Sequence, residues 1–141
     1  MSKIFYFLLA TVAMTIFAGC QSYNEPEFLP EEITQFMQFY FAGESFTSTA
    51  TDSGYTLTVH DGATIKFNTD NQWTDINGNG VPLNDMLIYN ILPNPLYGYT
   101  QEMEATDGVY RVTRLMSVYT VYFLDSSVSY DASTDSFIKA N

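Results

Sequence analysis

The sequence predicts an α+β fold: two helix-plus-antiparallel-strand repeats, with the helices packed on one face of an antiparallel sheet. Three observations predict it. Residues 54–73 alternate apolar and polar side chains on either side of Asp61-Gly62, the pattern of a half-buried hairpin. Leu29-Pro30 and Val81-Pro82 each open a helical stretch. These features return in the same order, Pro30 matching Pro82, Gly54 matching Gly108 and Phe67 matching Phe123, at offsets of 52, 54 and 56. Two copies of that period cannot form a solenoid, so one sheet, or two continuous half-sheets, backed by both helices is expected.

The first 19 residues stand apart from the fold. Lys3 is a charged start, Ile4 to Phe17 an apolar run, and Phe17-Ala18-Gly19-Cys20 a cleavage site of the bacterial lipoprotein type. The run is shorter than the roughly 18–20 apolar residues a membrane span needs. Cys20 is the chain's single cysteine, placed where a diacylglycerol would be attached. Cleavage leaves residues 20–141, with no disulfide available, so packing alone must hold the domain. Residues 20–28 read as a polar tether and 29–141 as the folded domain, with repeat one at 29–76, repeat two at 81–124 and a tail at 125–141. Gln21 after the cysteine, rather than Asp, favours the outer membrane, so a periplasm-facing or surface position in a bacterial envelope is expected.

Within repeat one, Glu31 and Glu32 suit a helix N-terminus, and Ile33, Phe36, Met37 and Tyr40 recur at i, i+3, i+4, i+7. Gly43 ends that helix. Phe46 to Thr51 reads as a strand and Asp52-Ser53-Gly54 as a turn. In the hairpin, a three-residue loop, His60-Asp61-Gly62, pairs Val59 with Ala63, Leu57 with Ile65 and Tyr55 with Phe67. That register keeps one whole face apolar, whereas a two-residue loop would mix both faces. Its expected geometry is a type I turn with Gly62 left-handed. Residues 69–71 turn again, and Trp73 starts a return strand. In repeat two, Pro82 to Leu92 reads as a helix stopped by Pro93-Asn94-Pro95. Tyr97 to Ala105 reads as a strand, and Val109 to Leu115 with Val118 to Leu124 as a second hairpin with a four-residue loop, 115–118. Phe137 and Ile138 could add a last edge strand.

The formal net charge is −11, and loss of the signal with Lys3 makes it −12. Nucleic acid is therefore excluded as a partner, since phosphate binding requires a basic patch. The acids are scattered, as on a solvated surface.

The motif Leu29-Pro30, Gly54-Tyr55, Asp61-Gly62, Ile65-x-Phe67 and Trp73, with a weaker copy from Val81-Pro82 to Phe123, resembles the PepSY-like (β-lactamase-inhibitor-like) family of secreted bacterial proteins. The resemblance covers about residues 29–124. It implies a non-enzymatic envelope domain that acts as an inhibitor or binding module. The second copy lacks the Asp-Gly turn and the Trp, and no interface residues belong to the motif.

Chemistry-bearing residues are few. His60, the single histidine, stands at a turn without triad spacing. Glu102 and Glu104, two apart on the expected strand, would share a face, and Glu31 and Glu32 open a helix. These pairs are the material for a carboxylate-dependent hydrolase, the first rival reading. Asp75-Ile-Asn77-Gly-Asn79-Gly80 matches the first half of a calcium loop, but Met86 stands where the bidentate Glu belongs. A calcium-stabilised structural envelope component is the second rival. No cofactor is implied. The remaining candidate is the sheet's open face, where Thr56, Thr58, Thr64 and Lys66 from one hairpin and Arg111, Thr113, Thr120 and Tyr122 from the other should point outward. Lys66, Arg111 and Tyr122 are the expected partner-binding residues, since Arg and Tyr are frequent interface anchors, and the expected partner is a protein or peptide.

Overall fold

The hairpin forms because period-two alternation and a turn agree on one register. In the computed structural model, which describes residues 28–103 and 108–138, strand β2 (Gly54–Val59) pairs with β3 (Thr64–Phe67) so that Tyr55 faces Phe67 and Leu57 faces Ile65. The Val59 N–H donates to the Ala63 carbonyl at 2.9 Å, closing the three-residue loop. The left-handed residue, however, is Asp61 (φ 57°) and not Gly62. Asp tolerates that region through its short polar side chain. Gly62 serves space instead, since a Cβ there would approach Val59 Cγ1 to 3.2 Å.

The signal segment, Cys20 and the tether up to residue 27 lie outside the described residues. Helix α1 (Glu31–Tyr40) buries Ile33 and Met37. Pro30 stands just ahead of the helix, and its carbonyl accepts from the Ile33 and Thr34 N–H groups. Strand β1 (Phe46–Thr51) follows, then β2, β3 and β4 (Trp73–Asn77). A bulge between Lys66 and Phe67 puts Trp73 across from Phe67, on the core side.

Helix α2 (Asp85–Ile91) starts three residues later than Pro82. Asn84 caps it, its side chain accepting from the Met86 N–H at 2.8 Å. Residues Asn94–Met103, expected within a strand from Tyr97 onward, form helix α3. Pro95 is tolerated in its first turn, where an N–H would be unpaired anyway. Leu96 and Thr100, one turn apart, are both fully buried, and the Thr100 hydroxyl donates back to the Tyr97 carbonyl at 2.6 Å.

Strands β5 (Arg111–Leu115) and β6 (Val118–Tyr122) keep the expected register, Val112 facing Val121, but turn on two residues rather than four, with Met116 at φ 57°. The tail contributes two strands, β7 (Ser127–Asp131) and β8 (Ser136–Ile138), so the second half extends past Leu124.

All eight strands form one antiparallel sheet in chain order, β1 to β8. Pairing of β4 with β5 joins the halves, Ile76 facing Val112. The resulting row Leu57, Ile65, Ile76, Val112 and Val121 has no solvent exposure. It packs in one core cluster with Ile33 and Met37 of α1, Leu87 and Ile88 of α2 and Leu96 of α3, so the helices cover a single face.

Candidate functional site

The opposite face is built by the alternate residues of the same strands. Reading across the register, Thr56, Lys66, Asp75, Thr113, Thr120 and Ser129 form one row, and Thr58, Thr64, Asn77, Arg111, Tyr122 and Ser127 the next. Apart from Tyr122, both rows are polar or charged because their neighbours along each strand are the apolar core row.

Arg111 is held rather than free. Its Nε donates to Asp75 Oδ1 at 3.0 Å and a terminal nitrogen to Asp75 Oδ2 at 2.6 Å, a bidentate fork. The guanidinium carbon lies 5.1 Å from the centre of the Tyr122 ring, and Tyr122 is the residue that faces Arg111 in the register. The Asp75 hydrogen bonds raise the Arg111 pKa above its ordinary value, so the group is a permanent cation. The Asp75 side chain is 16% exposed and that of Arg111 is 40% exposed, so the fork sits at the surface with its acid sheltered. Lys66 is exposed and lies in the row of Asp75.

The three expected residues therefore share one face. Asp75, which the sequence places in the partial calcium loop, is the residue of this face that sequence reasoning misses. The missing signal was the β4–β5 pairing, which sets Asp75 beside Thr113 and Asn77 beside Arg111. With Asp75 neutralising Arg111, Lys66 is the second cation of the face, in the row of Asp75.

The calcium-loop residues are engaged within the protein. Asp75 belongs to Arg111. Asn77 Oδ1 accepts from the Asn79 N–H at 2.8 Å, and the Asn79 amide donates to the Gly62 carbonyl and the Thr64 hydroxyl at 2.9 and 3.0 Å. Among the described residues, no three His, Cys, Asp or Glu side chains could hold a metal together. Glu102 stands on α3, not on a strand, and Glu104 lies outside the described residues. Glu31 accepts from Gln35, and Glu32 from Asn71. His60 and its neighbour Asp61 contact each other at 3.2 Å, with side chains 77% and 88% exposed.

At the inner end of the sheet a second cation is also stacked. The Arg114 guanidinium carbon lies 4.5 Å from the Trp73 ring centre and 5.7 Å from that of Tyr119, and its nitrogens donate to the Trp73 carbonyl at 3.2 and 2.9 Å. This cluster caps the core side and leaves the open face to Lys66, Arg111 and Tyr122.

The fold thus defines a class: an α+β domain in which an eight-stranded antiparallel meander is backed by helices on one side and open on the other. No family model and no curated protein matches the chain. Solved structures share its fold. One, from Bacteroides vulgatus and described as a periplasmic protein of unknown function, has a TM-score of 0.64 at 16% identity, over 79% of this chain and 90% of that one. Another from that organism, a periplasmic protein assigned to the DUF2874 family, has 0.65 at 14% identity, over 80% and 90%. A third, from Bacteroides thetaiotaomicron and provisionally described as a calcium-regulated periplasmic protein, has 0.66 at 14%, over 80% and 90%.

Proposed function

We propose that the chain is a lipid-anchored envelope protein, anchored through Cys20, whose PepSY-like domain binds a protein or peptide partner without catalysing a reaction. The carrying observation is the open sheet face, on which Asp75 fixes Arg111 against Tyr122 with Lys66 in the adjacent row. A pre-ordered guanidinium and ring lose little freedom when a partner docks, which favours binding at that spot. The envelope reading is supported by the lipoprotein-type cleavage site and by the periplasmic descriptions of the proteins that share the fold. The outer membrane is favoured by Gln21. The non-enzymatic reading is supported by the placement of Glu31 and Glu32 on α1, Glu102 on α3 and His60 in the β2–β3 turn.

The test is a crosslinking capture from intact cells with the anchored protein as bait. The informative control is Lys66→Glu with Tyr122→Ala, which leaves the Asp75–Arg111 fork in place. Arg111→Glu with Tyr122→Ala is the stronger variant, although it sets two carboxylates face to face, so its melting curve must be recorded alongside. Specific recovery of one protein, lost in both variants, is the expected result. Equal recovery of envelope components by all three would refute a binding role for this face. A calcium-stabilised structural component is the second reading, supported by the description of one protein of the same fold.

A further inference from the structure

Strand β1 is one edge of the sheet: it stands first in the sheet order and, among the described residues, pairs with β2 alone. Its hydrogen-bond phase can be read. The His60 N–H donates to the Ser45 carbonyl at 2.9 Å, so residues 45, 47, 49 and 51 turn their backbone groups toward β2. The N–H and C=O groups of Phe46, Ser48 and Ala50 therefore point away from the sheet. Natural edge strands are commonly blunted by charge, proline or shortness. At the other edge β8 is three residues long. β1 is six residues, Phe-Thr-Ser-Thr-Ala-Thr, with no charge and no proline.

Beside this edge lies an open hollow of about 270 Å³ between α1 and β1, lined in part by Met37, Phe41, Phe46 and Glu44. An exposed strand edge next to a helix with an apolar hollow between them is the geometry by which a sheet accepts an extended peptide: main-chain bonds give affinity, and alternate side chains fill the hollow. Charge selects the occupant. No Lys or Arg occurs from Phe28 to Ile65, whereas Glu31, Glu32, Glu44, Asp52 and Asp61 do. Glu44 and Asp52 flank β1 at its two ends. In an antiparallel pairing of β1 with a second copy centred on Ser48, Glu44 would oppose Asp52 of the other copy, which like charge disfavours. A strand with basic ends and an apolar residue between them meets both acids and the hollow.

We propose that the β1 edge is a second binding site, taking an extended peptide segment with flanking Lys or Arg residues and an apolar side chain that enters the hollow beside Phe46. It is a different surface from the open face, and its test is separable from that of the open face. The probe is the acetylated, amidated heptapeptide Lys-Thr-Val-Thr-Leu-Thr-Lys, titrated into the full-length chain with amide exchange as the readout. In the free chain the amides of Phe46, Ser48 and Ala50 should exchange fast and those of Thr47, Thr49 and Thr51 slowly. The peptide should slow the first set. The same peptide with Glu for Lys should not, and Glu44→Lys with Asp52→Lys should reverse that preference. Ser48→Pro removes an outward donor, which an edge strand tolerates, and should weaken binding about tenfold. An N-methyl group on the peptide's Leu should do the same without altering the protein. Lys66→Glu with Tyr122→Ala should leave binding intact. Slow exchange of the Ser48 amide in the free chain would overturn the proposal, because the edge would then already be covered by another segment or a second copy. Equal binding of the Lys and Glu peptides, or of the N-methylated one, would overturn it too.

Discussion

Replacing Asp75 with Ala removes the acid that organises the open face, and its cost can be worked from the geometry. A freely exposed ion pair contributes about 0.2–1 kcal/mol, whereas hydrogen bonds to charged groups that are shielded from water contribute about 1.5–3 kcal/mol. The fork lies between these limits. Both bonds are short, at 3.0 and 2.6 Å, and the Asp75 side chain is only 16% exposed, but Arg111 is 40% exposed and remains partly hydrated after its partner is lost. Asp75→Ala should therefore cost about 2 kcal/mol, which for a domain of this size lowers the melting temperature by roughly 8 °C. Arg111→Ala also removes the contact with Tyr122, so the pair is isolated only by a double-mutant cycle. The coupling energy should be about 1–1.5 kcal/mol in denaturant melts. It should fall only slightly in high salt, because the acid is sheltered. A coupling below about 0.3 kcal/mol would place the fork among ordinary surface pairs and refute the claim that Asp75 pre-orders Arg111.

Three further outcomes follow from other parts of the molecule. At Gly54 (φ 134°) a Cβ would come within 1.8 Å of the Phe67 carbonyl oxygen, while at Gly80 (φ 93°) it would meet nothing within 4 Å. Gly80→Ala should thus cost only the backbone penalty, about 1–2 kcal/mol, and Gly54→Ala more than about 4 kcal/mol; equal losses in chemical denaturation would contradict the clash. The Tyr130 phenol donates to Asp135, which pushes its pKa up to about 12 from 10.0. Its contribution to stability is complete below the unfolded pKa and is lost as pH rises from there through the folded value. Spectroscopic titration should show a late tyrosinate that Asp135→Ala moves earlier. Calcium should leave the melting temperature unchanged, since Asp75 and Asn79 are engaged within the protein; a calcium-dependent rise would shift the reading to the structural component.

The first hairpin was legible because three local signals agreed: β-branched and aromatic alternation, an Asp-Gly turn, and a register that leaves no polar residue in the core. Its turn conformation was not, because Asp and Gly both accept the left-handed position and the alternation of the flanking strands does not distinguish Asp61 from Gly62. Helix α3 was misread for a chemical reason. Tyr97, Tyr99 and Thr100 favour strands, and the buried position one turn after Leu96 is filled by a threonine, which hides the helical period. Strand β7 was missed because only Val128 and Tyr130 carry the alternation amid Ser and Asp. The outward set Lys66, Arg111 and Tyr122 followed from parity within each hairpin. Asp75 depended on which strand lies beside which, and a bulge at Lys66/Phe67 shifts the parity of everything read forward from Trp73.

The order of the strands has a consequence for how the chain reaches this structure. Six of the seven pairings link strands joined by short turns, so each can form as a local hairpin. Only β4 with β5 must close across residues 78–110, which include both helices of the second half. The entropy of that single closure grows slowly with the length spanned, but it precedes any reward from the Ile76–Val112 contact. The seam is therefore the kinetic bottleneck. A chain held short of it would display two half-sheets with bare edges at Ile76 and Val112, the species most exposed to mispairing with another copy.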